Sequence, residues 1–225
     1  RRSSDLFTGR ADELMDIVSY FDHGGTAVVL QGMGGIGKTA LAFKLAEKLT
    51  ERYPDGQILV DLRGTSQDPM TSSEAMASIV RSYKPEVKPP KDESELIGIY
   101  QSLLHGMHAL LLLDNAANRE QVEPLLPPSE CALIITSRNK FVLPGMPRFF
   151  LLDTMKPSDA SEFLLKICPR IGNLADELSK LCGFLPLALR AAGSLLAIRP
   201  DLSPSQYASE LQDERKRLEL IGGEG

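Results

Sequence analysis

The stretch TAVVLQGMGGIGKTALAFKLAEKL (residues 26–49) reads as three pieces in a fixed order. TAVVLQ (26–31) is a short β-branched run, suited to a buried strand. GMGGIGKT (32–39) is a glycine cluster that matches G-x-x-x-x-G-K-[ST] in full. Beyond it, Leu41, Leu45 and Leu49 fall four apart, on one face of a helix. A strand feeding a glycine turn that opens a helix is the frame of a phosphate cradle. Without side chains at 34, 35 and 37, backbone N–H groups can converge on anionic oxygens. The helix starting near Lys38 adds the positive end of its dipole. The backbone of Gly34, Gly35, Ile36, Gly37, Lys38, Thr39 and Ala40 is the expected phosphate-binding surface. In this geometry Lys38 reaches the β- and γ-phosphates and Thr39 ligates Mg²⁺.

Working outward, the same alternation continues. Pro54-Asp55-Gly56 marks a turn, and QILVDL (57–62) is a second strand. TSSEAMASIVRSY (71–83) predicts a helix capped by Ser72 or Ser73. Residues 93–105 suggest another helix. ALLLLDN (109–115) reads as a third strand over 109–114, CALIITS (131–137) as a fourth and RFFLLD (148–153) as a fifth. Strands alternating with helices imply a parallel sheet covered on both faces. From about Lys156 the strand pattern stops. PSDASEFLLKIC, NLADELSKLC, PLALRAAGSLLAI and SPSQYASELQDERKRLELI read as four helices. In the third, Leu187, Ala191 and Leu195 share one face, with Ala188, Ala192 and Leu196 beside them. The expected class is therefore α/β: a parallel-sheet P-loop domain over 1–155, with strand order 5-1-4-3-2, then a small all-α domain over 156–225. The closing GGEG (222–225) suggests a linker.

The third strand supplies the second half of a nucleotide site. Its apolar run delivers Asp114 where it can hold Mg²⁺ directly or through water. Asn115 stands where a water-activating acid would be expected. An amide cannot take a proton, and losing general-base catalysis typically costs about 10²–10⁴-fold in rate. Phosphoryl transfer depends chiefly on positioning and charge stabilisation, so an amide can still hold the attacking water. The expectation is slow hydrolysis rather than none. Asp61, ending the second strand, is an alternative base placed towards the sheet edge. The guanine-reading pattern N-K-x-D is absent, because NKFV (139–142) does not end in the acid.

Bulk properties narrow the partners. With 225 residues, the chain can bury a sizeable core. A net charge of −5 argues against direct nucleic-acid binding, and the basic run DERKR (213–217) mixes signs like a solvated helix face. Cys131, Cys168 and Cys182 are scattered among apolar residues, which fits core thiols in a reducing compartment better than disulfides or zinc. His23, His105 and His108 lack further ligands nearby. No apolar run approaches the roughly 20 residues that cross a bilayer, and no signal-peptide pattern opens the sequence. A cytoplasmic location, away from membranes, is expected.

Three further motifs join GMGGIGKT and LLLLDNA: FTGR (7–10) before the first strand, IITSR (134–138) ending the fourth, and GFLPLAL (183–189) in the helical part. Together they resemble the NB-ARC branch of the STAND P-loop ATPases. PDGQILVDLRG (54–64) and EPLLPPSE (123–130) look most like its bacterial members. The resemblance implies that Phe7, Thr8 and Gly9 pass near an adenine and that Arg10 reaches the nucleotide. It implies that Arg138 senses the γ-phosphate and that Pro186 presses on the adenine, so that the nucleotide joins the two domains. Three of these residues have a structural alternative. Taken alone, Arg138 fits an arginine on a surface loop. GFLP also fits a helix stop at Gly183 followed by Pro186 in the next first turn. GRADEL also fits a helix start, with Asp12 and Glu13 favouring its N-terminus. The implied function is an ADP/ATP-operated signalling switch that self-associates in its ATP state within a larger regulatory or defence protein, continuing into a winged-helix domain. A phosphotransferase acting on a small acceptor is the alternative. Loop 63–72, with Arg63 alone, lacks the arginine cluster expected of that enzyme's lid.

Overall fold

The computed structural model describes residues 7–222 except Lys91 and Met146. In chain order it contains α1 (Ala11–Asp22), β1 (Ala27–Gln31), α2 (Lys38–Lys48), β2 (Gly56–Asp61), α3 (Ser72–Tyr83) and α4 (Glu93–Leu104). There follow β3 (Ala109–Ala116), α5 (Arg119–Val122), β4 (Ala132–Ser137) and β5 (Arg148–Leu151). The chain ends in α6 (Pro157–Ile167), α7 (Ala175–Leu181), α8 (Pro186–Ile198) and α9 (Pro204–Gly222). Short 3₁₀ turns follow α5 and precede α7.

Two compact units emerge. One holds Ala11–Gly34 and Lys38–Leu152; the other holds the segment up to Arg10, Gly35–Gly37 and the chain from Asp153 onward. The FTGR segment and the crown of the glycine loop thus group with the helices.

In the first unit the five strands pair in the order β2-β3-β4-β1-β5, every pair parallel. This is the expected order read from the other edge. The central strands β3 and β4 are almost wholly buried, as near-continuous Leu and Ile runs require when helices cover both faces. α2 packs on β1, β3 and β4 through buried Leu41 and Leu45, with Leu49 buried just past its end. α3 packs on β2 and α4 on α3, closing a core that includes Met76, Ile79, Tyr100, Leu111 and Leu113. Each such side chain contributes about 1.5–3 kcal/mol on burial.

The cap of α3 departs from expectation. Thr71, not Ser72 or Ser73, is the N-cap: its hydroxyl accepts from Glu74 N while Glu74 Oε2 accepts from Thr71 N at 2.8 Å. T-S-S-E is a capping box in which only the first residue has an acid three positions on. Ser72 instead donates to Gln121 O at 3.0 Å.

The second unit encloses its own core, built on Phe163, Leu164, Ile171, Leu178, Leu189 and Leu196. α8 buries Leu189, Ala192, Gly193 and Leu196, which leaves Leu187 61% exposed. The inward face is therefore offset from the Leu187–Ala191–Leu195 row. Cys131 and Cys168 are buried and Cys182 half-buried, with burial pushing the Cys182 thiol up to about 11. α9 runs to Gly222; the rest of the expected linker lies outside the described residues.

Candidate functional site

The first turn of α2 places Lys38 and Thr39 at the end of the glycine loop. Lys38 is buried, and its ammonium donates to Gly32 O at 2.8 Å and to Met33 O at 2.9 Å. Burial lowers its pKa, the neighbouring Arg138 lowers it further, and Asp114 partly opposes both. A cation held at such a cost is stabilised by an incoming anion.

Thr39 Oγ1 donates to Asp114 Oδ1 at 2.8 Å, and Thr136 Oγ1 donates to the same oxygen at 2.6 Å. Thr136 then accepts from Asn115 N at 2.9 Å. Two hard oxygens, one hydroxyl and one carboxylate, therefore stand side by side at the loop. That donor set fits Mg²⁺, which takes one or two protein oxygens and completes its shell with water and phosphate. Thr39 and Asp114 would hold it, and it would supply charge stabilisation to phosphate oxygens.

Asn115 has a local structural cause. β3 and β4 pair Leu113 with Ile135 and next Ala116 with Ser137, so Asp114 and Asn115 together face the single Thr136. This is a β-bulge, and Asn115 takes its left-handed residue with φ 57. Asparagine is among the few residues other than glycine that adopt this conformation readily. Its amide donates to Thr65 Oγ1 at 3.3 Å and its carbonyl accepts from Gly64 N at 2.7 Å. Gly64 is required there: a Cβ would come within 2.4 Å of the Asn115 carbonyl oxygen. Asp61 accepts from Arg63 N at 2.9 Å and so serves the turn after β2.

Arg138, one residue past β4, lies against the loop. A Cβ on Gly34 would be 3.2 Å from its guanidinium carbon. In this unit the sequence-predicted Gly34, Lys38, Thr39, Asp114 and Arg138 are thus brought together, with Ala40 following in α2. Asn115 is adjacent, with its amide occupied by Thr65.

Within the helical unit, Thr8 accepts from Lys166 Nζ at 3.1 Å, and Gly9 lies so close to Asp159 that a Cβ would meet Oδ2 at 2.7 Å. Phe7 is half-buried. Arg10 donates to Ile36 O at 3.0 Å and to Asp153 O. Leu187 N donates to Gly35 O at 3.2 Å. Gly35, at φ 77, approaches Leu187 so closely that a Cβ would be 2.9 Å from Leu187 Cβ. Pro186 is in the first turn of α8, 3.7 Å from where a Cβ on Gly37 would be. The helix-stop geometry of GFLP is present: Gly183 (φ 61) and Phe184 (φ 55) follow α7 in left-handed backbone.

Sequence reasoning missed Thr136, Gly64, Thr65 and Gln121. Thr136 had a signal, a hydroxyl at the end of an otherwise apolar strand. Gln121, which bridges Leu62 O, Met70 O and Ala117 N, had none, because its partners are backbone atoms and two of them are distant in sequence.

A parallel sheet with this strand order, a glycine loop leaving β1 and ending in Lys38-Thr39, and an aspartate on β3, with β4 between the two strands, define a P-loop NTPase. The chain belongs to the AAA domain family, whose model matches residues 22–149. It is 37% identical over 231 residues to the regulatory protein AfsR of Streptomyces coelicolor, covering 96% of this chain and 23% of that protein. It is 30% identical over 250 residues to a protein of Arabidopsis thaliana named "Probable disease resistance protein RF45", covering 96% and 22%. The chain therefore spans about a quarter of the curated relatives it matches. Among solved structures, the fold matches a STAND protein with a tetratricopeptide repeat sensor from Pyrococcus horikoshii, with a TM-score of 0.50, 18% identity, 81% of this chain and 29% of that one. The resemblance to the NB-ARC branch of the STAND ATPases is borne out by these relatives. No helix among the described residues is long and apolar enough to cross a membrane.

Proposed function

We propose that this chain is the ADP/ATP-operated switch of a larger regulatory or defence protein, and that it hydrolyses ATP slowly. The observation that carries the reading is the Thr39–Asp114–Thr136 cluster beside Lys38 and Arg138. It supplies oxygen ligands for a cation and two positive charges for phosphates beside the glycine loop. Gly34, Gly35, Ile36, Gly37 and Ala40 contribute backbone N–H groups to the phosphates. Arg138 reads the γ-phosphate. Phe7, Thr8, Gly9 and Pro186 contact the adenine. Asn115 orients water without accepting its proton, so the ATP state persists.

A nucleotide shifts a conformational equilibrium only through differential affinity, and moving it from 1:99 to 99:1 takes about 5.5 kcal/mol. The contacts of one γ-phosphate with Lys38, Arg138 and Mg²⁺ contribute towards that difference. In the longer protein, ATP promotes self-association; light scattering that gives one mass in ATP and in ADP would refute the switch. Titration with ADP, ATP and GTP tests the site itself. Adenine nucleotides should bind and Lys38→Ala should lose them by at least about a hundredfold, since a charged hydrogen-bonding group left unpaired costs several kcal/mol. Equal binding of GTP would contradict the adenine reading.

A further inference from the structure

The notable feature outside the phosphate cluster is the turn that carries Arg10. Gly9 and Arg10 are consecutive left-handed residues, with φ 72 and 59. For arginine that conformation costs about 1–3 kcal/mol and persists only where the surroundings hold it. They do so here: Lys166 ties Thr8, and Asp159 leaves no room for a side chain on Gly9. The turn aims the Arg10 guanidinium at two carbonyls, Ile36 O at 3.0 Å in the crown of the glycine loop and Asp153 O, where the helical unit resumes.

The chemistry of the first acceptor matters. Across a trans peptide the C=O of Ile36 and the N–H of Gly37 point in opposite directions. Fixing that carbonyl on Arg10 therefore aims the Gly37 N–H to the opposite side. Gly37, at φ 96, is a residue beside which a peptide can flip at little steric cost. A flipped Ile36–Gly37 peptide would present a carbonyl oxygen where an anion needs a donor.

We infer that Arg10 is a positioning residue for the phosphate cradle: it locks the Ile36–Gly37 peptide with its N–H available to phosphate, and it does not itself touch the nucleotide. The inference rests on the proposal that this loop binds a nucleotide. It changes the role of Arg10 from contact to support. Planarity suits the guanidinium to hold two carbonyls at once, which a lysine ammonium does with less geometric control.

The test compares ADP with inorganic pyrophosphate, each displacing a fluorescent ADP analogue from wild type, Arg10→Ala and Arg10→Lys. ¹⁵N relaxation dispersion is recorded at Gly37 in the nucleotide-free proteins. Arg10→Ala should lower both affinities by the same factor, about tenfold or more, and Arg10→Lys by less. Gly37 should show exchange in Arg10→Ala that wild type lacks. A loss confined to ADP would make Arg10 a contact with the nucleoside and overturn the inference. So would equal losses without any change at Gly37, which would make it a direct phosphate contact. If Arg10→Ala does not fold, the same criteria apply to Arg10→Lys. Unchanged affinity in a folded variant overturns this inference alone, whereas a wild type that binds no ADP overturns the nucleotide reading beneath it.

Discussion

Asn115 occupies the one left-handed position on β3, and that conformation limits what can replace it. Aspartate tolerates the same backbone and adds a proton acceptor, so Asn115→Asp is the clean probe of whether a missing base limits hydrolysis. It should raise ATP turnover by roughly tenfold or more, short of the full 10²–10⁴ range because the carboxylate is beside Asp114. Single-turnover kinetics would measure it, and an unchanged rate would place the limit at ADP release. Asn115→Val should cost about 1–3 kcal/mol of stability through strain, while Asn115→Gly should leave stability close to wild type. At this scale the sequence was partly legible. Lys38, Thr39 and Asp114 announced themselves because a motif binds chemistry to spacing. The bulge did not, because it arises from a register slip between β3 and β4 that no local pattern records.

At the scale of elements, the strands were readable because each central strand is an unbroken apolar run that can only be buried. Ends were less so. β3 continues to Ala116, two residues past the aspartate, since the bulge lets pairing resume. The cap of α3 fell one residue before the expected serines, and its reciprocal bonds make it testable. Thr71→Ala should destabilise the protein by about 1 kcal/mol, whereas Ser73→Ala should leave it within about 0.5 kcal/mol, both measured by urea denaturation. Equal effects would reassign the cap. The inward face of α8 was not legible, for a different reason. A helix with apolar residues nearly all round has no single stripe, and its partners in α6 and the neighbouring turns decide which side is buried.

At the scale of the molecule, the division into units follows contacts rather than chain order. Phe7–Arg10 and Gly35–Gly37 belong with the helices although both adjoin sheet elements in sequence. Strand and helix patterns report local burial, so they are blind to segments that join a unit through a few hydrogen bonds. Those bonds, from Arg10 to Ile36 and from Leu187 to Gly35, involve the loop proposed to hold phosphate. This grouping is what the proposed switch would use, with nucleotide contacts drawn from motifs spread along the whole chain. The most direct test of that claim is acid extraction of the purified protein followed by chromatography of the released nucleotide. The account predicts ADP in near-equimolar amount, lost in Lys38→Ala; recovery of a guanine nucleotide, or no nucleotide together with weak ADP affinity, would contradict it.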